Sequence, residues 1–500
     1  MEICFDNRTR DTYEEITHLT KRIQENAECV VPDINEDIGK IVSTQTEIML
    51  KAKELTARGL CISGEVNASV LYITENENKV SFVNTTKSFE IYFDSDETEN
   101  EMLTHVRLNV HNCEAKALNP RKISISLDIG AEIYSYAESK TRIETLIDAA
   151  QTELAHLKYE SIDVTTVTAV CEKSIAVSEQ LMFPAEKAKP SQLICKKAVF
   201  SVSETQFVGT KAIVKGSINI EAKCVAEEYE YPICTEFTLP FSQIIDTGKE
   251  QLENCTAIVQ QTSSYYRLID TINGDKALDA EIHAVIQLVC RSRQSVSYIS
   301  DAYSNRMPLV CAVNTRQYAL TSEPQRLRLN AEEHISIAED CRDVLNVFTS
   351  LCRCDIQKNK ILAVLQFDVI YRNSTGTLAA VRRAMELETE LKQSHSRIEN
   401  ISLADLNIKA DGALIEVRAG IEIICREYKS IGISALDGVT LDEESAYDMA
   451  EFPSLSLVRV ENESLWQLAK QYHSSVEQIN RLNNMSLPLS GRIILIPKAN

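Results

Sequence analysis

The 500-residue sequence predicts a mainly β protein: three tandem β-rich modules followed by a small α+β module of βααβ order. Three observations predict it. Apolar and polar residues alternate with a period of two over long stretches rich in Val, Ile, Thr and Ser, as half-buried strands require. One order of features recurs along the chain, with 152 residues from Pro32 to Pro184. That spacing suits a whole domain and is long for a solenoid repeat. The last 44 residues look unlike everything before them and read as a strand, two capped helices and a second strand.

The first module, residues 1–150, carries Val31-Pro-Asp-Ile-Asn-Glu-Asp37-Ile-Gly-Lys-Ile41-Val42 and then the alternating run Gly64–Ile73. The second, 151–303, repeats the order with Phe183-Pro184, Leu193-Ile194 and the run Gly216–Val225. The third, 304–441, is more worn: Asp343-Val344 and Val347 hold the register, and Ile361–Tyr371 is the run. Ser88–Phe93, Glu236–Phe241 and Met385–Leu391 are matched central strands; Ile123–Ile133, Leu278–Val289 and Ala413–Ile424 are matched long strands. The copies close on Leu146–Ala149, Tyr298–Ala302 and Ile431–Ala435. Polar turns such as Asn76–Asn78 and Asn373–Gly376 favour antiparallel connections. Short helices are expected after Pro32 and its counterparts. Ile143–Leu157 fits helical spacing, whereas the repeat register puts a strand and turn there. A linker, 442–454, leads to the terminal module, 455–500.

In that module Val458 and Val460 flank Arg459 at strand spacing. Ser464 precedes the stripe Leu465, Leu468, Ala469 and Tyr472. Ser464 and Gln467 make an S-x-x-Q capping box, and Ser474 with Glu477 is read as a second. Val476, Ile479 and Leu482 supply the inner face of helix two, and Asn483-Asn484 suits a helix stop. Gly491 turns into Arg492–Ile496, and Pro497 closes the strand.

These residues resemble the LysM domain. The resemblance implies a βααβ fold and, commonly, binding of N-acetylglucosamine polymers between the loops Glu461–Ser464 and Asn484–Leu489. The family usually has Gly-Asp before the Ser/Thr-Leu pair; here Asn462-Glu463 stands there. Ile494 and Ile496 should face the module's core, which turns Ile493 and Leu495 outward beside Trp466, the only tryptophan. Two readings stand: these side chains pack on the preceding domain or on their own helices, or they form a partner surface. The candidate partner-binding residues are Asn462, Glu463, Ser464, Trp466, Asn484, Leu487, Ile493 and Leu495.

The net charge is −21. The last 44 residues hold five basic and three acidic residues, which leaves 47 basic and 70 acidic residues before Leu457. So acidic a body argues against nucleic acid or an anionic membrane as partner. No run of about 18 apolar residues predicts a membrane span, and the N-terminus lacks the apolar core of a secretory signal. The 15 cysteines are scattered, with no C-x-x-C pair, and read as reduced thiols in a cytosol.

No catalytic signature is visible. The eight histidines fall in no metal-binding spacing, and 14 glycines form no phosphate-cradling loop. His111 and Cys113 can share a strand face, but such neighbours are ordinarily core and surface. Acidic pairs such as Glu227-Glu228, Glu332-Glu333 and Glu443-Glu444 read as solvated charge. The expectation is no enzyme, no metal and no cofactor.

The body repeat resembles the SPOCS domain of endospore-forming bacteria, most clearly at Pro32–Ile41. Several such copies followed by one LysM module are the layout of the stage IV sporulation protein A-interacting family of coat morphogenetic factors. That resemblance implies a mother-cell cytosolic scaffold at the forespore coat surface, whose LysM module docks on stage IV sporulation protein A, a polymerising ATPase. Other coat proteins are further candidate partners. The competing readings are a cell-wall protein that binds peptidoglycan or N-acetylglucosamine through the same module, and an enzyme carried by the β modules.

Overall fold

Alternation at period two puts successive side chains on opposite faces of a strand, and the chain uses it almost throughout. Strand covers 78% of the chain and helix 4%, so the mainly β class stands. The structure, a computed structural model, describes residues 2–3, 5–94, 102–147, 155–184, 188–226, 228–391, 396–483 and 491–498.

After a short β1 (Glu2–Ile3), one strand set is laid down three times. The first set is β2 (Phe5–Val30), β3 (Ile38–Thr56), β4 (Gly59–Thr74), β5 (Val80–Asp94), β6 (Leu103–Asn119) and β7 (Lys122–Ile147). The second is β8 (His156–Met182), β9 (Pro190–Val208), β10 (Lys211–Ala226), β11 (Ile233–Asp246), β12 (Asn254–Asp270) and β13 (Lys276–Tyr303). In the third the opening strand is split into β14 (Leu309–Thr321) and β15 (Gln325–Ser336). Then come β16 (Cys341–Gln357), β17 (Lys360–Asn373), β18 (Leu378–Glu390), β19 (Ser396–Asp411) and β20 (Leu414–Leu441). The split falls at Ser322–Pro324, where proline has no N–H to give a ladder.

In each set the second to fourth strands form a three-stranded meander: β3-β4-β5, β9-β10-β11 and β16-β17-β18. The long last strand pairs with the first and fifth, as β7 does with β2 and β6. Each meander packs on its partner sheet around its own core. Ile62, Val70 and Ile91 meet Ile125 and Ile129 in the first; Ile218 and Ile220 meet Ile282 and Ile286 in the second; Phe367 and Val369 meet Val417 and Ile421 in the third.

The three units meet in two shared apolar clusters. A shared cluster takes Val42, Leu71 and Ile73 from the first, Ile194 and Cys195 from the second, and Phe348, Ile370 and Leu378 from the third. A second joins the ends of the long strands through Ile147, Ile299, Leu436 and Val439, and Ile3 enters it. There β1 pairs with the end of β20, Glu2 opposite Thr440, so the start of the chain is stitched to the third unit. Polar groups fix the units further. Glu399 accepts from Arg426 Nε (2.8 Å), Thr256 Oγ1 (2.8 Å) and Tyr428 Oη (3.2 Å), while its own carbonyl accepts from Arg107 (2.6 Å). Arg426 is 2% exposed, so its charge depends on this partner.

Several local expectations are corrected. No helix follows Pro32: residues 32–37 form turns, with the Asn35 N–H on the Pro32 carbonyl and the Arg121 guanidinium on the Asn35 carbonyl. Ile143–Ile147 is the end of β7 and Leu157 lies in β8; residues 148–154 fall outside the described part. The glycines that open two alternating runs have a packing cause. A Cβ on Gly64 would sit 2.4 Å from the Phe89 ring, and one on Gly216 would sit 2.1 Å from the Ser201 carbonyl and 2.8 Å from the Phe241 ring. Phe89 and Phe241 are the cross-strand partners, so Phe241 and not Phe237 matches Phe89. In the third unit Leu365 faces Met385. The pair Gly–Phe is replaced there by two medium side chains, both buried.

Candidate functional site

The terminal module is β21 (Leu455–Arg459), α1 (Leu465–Gln471), α2 (Val476–Asn483) and β22 (Ile493–Pro497), with β21 and β22 antiparallel. Ser464 caps α1 as read: its Oγ accepts from Gln467 N (3.3 Å), and Gln467 Oε1 accepts from Ser464 N (2.8 Å). The second cap is displaced by one residue. Ser475 Oγ, not Ser474, accepts at the start of α2, from Gln478 N at 3.2 Å. Ser474 is fully buried and its hydroxyl donates to the Pro497 carbonyl.

Between the helices His473 takes the left-handed conformation (φ 48°), and Ser474 N returns to Ala469 O at 2.9 Å, a Schellman closure. Asn483 clasps the last strand: its amide donates to Leu495 O (2.6 Å) and accepts from Leu495 N (2.8 Å). Val460, Leu468, Ala469, Ile479, Ile494 and Ile496 form the core. Leu482, expected inside, is 47% exposed.

The module is not free of the body. Trp466 Nε1 donates to Asp301 Oδ2 (2.8 Å), and Lys470 Nζ donates to Asp301 Oδ1 (2.7 Å). The Trp466 ring meets Tyr303 edge to face, centroids 4.9 Å apart, and Tyr303 Oη donates to Ser474 O (3.0 Å). Asp301 lies beside a bulge in the β13–β8 ladder, which re-aims the strand end toward the module. Burial pushes the Asp301 carboxyl up, but hydrogen bonds from Lys470 and Trp466 outweigh it, and the group is held below the usual aspartate range. Burial pushes the Tyr303 phenol well up.

Residues 442–454 act as a strap. They carry 3-10 turns at Glu443–Ser445 and Met449–Glu451. The rings of Tyr447 (edge-on) and Phe452 (tilted) each have their centroids 4.5 Å from that of His473, and the Met449 carbonyl accepts from Lys498 Nζ (2.7 Å).

The sequence-predicted site residues therefore divide. Asn462, Glu463 and Ser464 share the first loop. Glu463 turns back on it, its Oε2 accepting from Glu461 N (2.9 Å) and Asn462 N (3.1 Å); its own backbone N–H and then these two hold its pKa down. Asn484 and Leu487 lie outside the described residues. Ile493 is 62% exposed, and Leu495 is half-buried opposite Leu457, itself 70% exposed. Trp466 does not join them: its ring is committed to Tyr303 and Asp301. Asp301, Tyr303, Leu455 and Leu457 were missed by sequence reasoning. Leu455 and Leu457 carried a signal, as apolar residues out of phase with Val458 and Val460.

Among the described residues no helix is long and apolar enough to cross a membrane. No cluster of three or more His, Cys, Asp or Glu with metal-binding geometry occurs among them. The two known domain types then follow from comparison. The family model described as SipL, SPOCS domain matches residues 37–118, and that of the LysM domain matches residues 460–497. The first match spans β3 to β6 of the first unit, and the second spans the βααβ module. No curated protein and no solved structure matches the chain. The chain thus combines a SPOCS domain with a LysM domain, a type that suggests a glycan- or protein-binding role. That combination matches a SPOCS- and LysM-containing sporulation protein family.

Proposed function

We propose that the chain is a non-enzymatic spore coat scaffold of the mother-cell cytosol, recruited to the forespore surface when its LysM domain binds stage IV sporulation protein A. The observation that carries this reading is the outer face of the β21–β22 sheet. Leu455 (50% exposed), Leu457 (70%) and Ile493 (62%) lie there with Leu495, and the core residues Ile494 and Ile496 point the other way. An apolar strip of this kind suits a protein surface. Arg459 borders it opposite Ile493, which favours a partner with acidic flanks.

The glycan reading rests on the exposed first loop at Asn462 and Ser464. It is weakened because Glu463 already satisfies the N–H groups of Glu461 and Asn462 that a sugar acetamide could use. The test is capture of purified stage IV sporulation protein A by the full-length chain and by its Leu457→Asp and Ile493→Asp variants. Both substitutions should cut capture by roughly tenfold or more, the cost of burying an unpaired charge, with thermal stability unchanged. Equal capture by the folded variants would overturn this face, and tight binding to chitin oligomers or peptidoglycan would favour the glycan reading.

A further inference from the structure

Cys255 and Cys290 stand directly opposite each other on the antiparallel strands β12 and β13. Directly opposed residues share a face of the sheet, with Cα atoms about 4.5–5.5 Å apart. That falls within the Cα range of about 4.4–6.8 Å that a disulfide spans. Cys290 is fully buried, whereas Cys255 is half-buried. Cys255 also lines a cavity of about 870 Å³ between the three units, together with Thr205, Glu399 and Arg426. One thiol is thus reachable by a small solute, and the other waits behind it.

We infer that Cys255 and Cys290 form a peroxide-reactive pair, with Cys255 as the attacking thiol and Cys290 as the resolving thiol. The Cys255 thiolate attacks one oxygen of a hydroperoxide; the O–O bond breaks, alkoxide or hydroxide leaves, and Cys255 becomes a sulfenic acid. The Cys290 sulfur then attacks the Cys255 sulfur, the S–S bond forms, and hydroxide leaves with the Cys290 proton as water. Two thiols and one hydroperoxide give one disulfide, one alcohol and one water, so the pair loses the two electrons that the peroxide gains.

The surroundings single out this thiol. A hydrogen bond from Cys290 draws the Cys255 pKa down against burial, helped by the Thr205 hydroxyl and the Arg291 and Arg426 guanidiniums. Cys290 is pushed up by the same contact and by burial. The other described thiols shift up through burial, including Cys171, Cys352, Cys354 and Cys425. Cys171 is the competitor for Cys290: it lies on β8 opposite Leu288, one same-face position away from the Cys290 partner Ala169.

The experiment uses the reduced full-length protein, treated with hydrogen peroxide, blocked with N-ethylmaleimide and digested without reductant. Trypsin places Cys255, Cys290 and Cys171 on different peptides, because Arg267 and Lys276 separate the first two and Lys173 follows the third. The expected product is a linked Cys255–Cys290 peptide pair. With limiting N-ethylmaleimide and no peroxide, Cys255 should be labelled faster than the other described thiols, because the thiolate is the species that reacts. Cys290→Ser should leave a sulfenic acid at Cys255 that dimedone traps, and Cys255→Ser should leave Cys290 a free thiol. A Cys290–Cys171 link, or no link to Cys255 at doses that oxidise other cysteines, would overturn the inference. The wild-type mapping alone decides it, so the outcome does not depend on the variants folding.

Discussion

Replacing Asp301 with alanine should loosen the LysM module from the body without unfolding either. Asp301 makes two contacts across the joint, to Trp466 Nε1 at 2.8 Å and to Lys470 Nζ at 2.7 Å. A hydrogen bond to a charged group is worth about 1.5–3 kcal/mol net. The Asp301 and Lys470 side chains are 34% and 47% exposed, so their ion pair adds only about 0.2–1 kcal/mol and the first figure belongs at its lower end. The loss is then about 2 kcal/mol, roughly a 30-fold shift toward the undocked state. Tyr303 still holds Ser474 and the Trp466 ring, so the change is partial.

Trp466 is the only tryptophan, which makes its fluorescence a direct report on the joint. The variant should show red-shifted emission and stronger acrylamide quenching, and chymotrypsin should cut faster after Tyr447. The pH dependence has a definite sign. Asp301 is held below its usual pKa in the folded protein, so its contribution is fully present above about 3.9 and is lost as the pH falls through the folded value. The Asp301 contribution should be constant from pH 7 to 5 and fall only in the acid limb. Identical emission and quenching in Asp301→Ala and the wild type at pH 7 would refute the latch.

Other substitutions test other joints. Glu399→Ala strands the buried Arg426 guanidinium, and the protein should lose about 3–5 kcal/mol, read from the denaturant midpoint. Gly216→Ala drives a Cβ against the Ser201 carbonyl and the Phe241 ring and should cost about 1–3 kcal/mol by the same assay. The Leu365–Met385 unit should tolerate Leu365→Met for under about 1.5 kcal/mol. Ser464→Ala removes the α1 cap and should cost about 1 kcal/mol, seen as faster amide exchange in Leu465–Gln471 with the β units unchanged.

The fold was legible where it depends on local pattern. Alternation in Gly64–Ile73 and Gly216–Val225 gave strands, and the Ser464–Gln467 box marked the start of α1 to the residue. The failures share a cause: contacts between residues far apart in the chain. The Ser474 hydroxyl was read as a cap, but the Pro497 carbonyl 23 residues on takes it, and the cap passes to Ser475. The turn after Pro32 was read as a helix, but Arg121 reaches in and satisfies its carbonyls. Nothing local announces that Glu2 pairs with Thr440, or that Glu399 gathers groups from all three units. At the candidate site the alternation of Ile493–Ile496 correctly separated inner from outer side chains. Trp466 was grouped with the outer face because a helix residue's neighbours in another domain leave no trace in its own sequence.

The division of the module into two faces bears on how it could recruit anything. A βααβ unit has one sheet face covered by its helices and one left outside. Here the helix side is spent on the body, through Trp466, Lys470 and Ser474, and the strap at Tyr447 and Phe452 closes over His473. The outer sheet, with Leu455, Leu457, Ile493 and Leu495, is therefore presented at a fixed angle to the three β units. A module on a free linker would lose conformational freedom each time the whole chain was seated on a surface. A latched module has lost most of it during folding, so one docking event also orients the acidic body. Loosening the latch should then leave binding by the outer face intact while spreading the orientation of the body, and that separates Asp301→Ala from Ile493→Asp. The first should retain partner capture with altered Trp466 emission; the second should lose capture with emission unchanged.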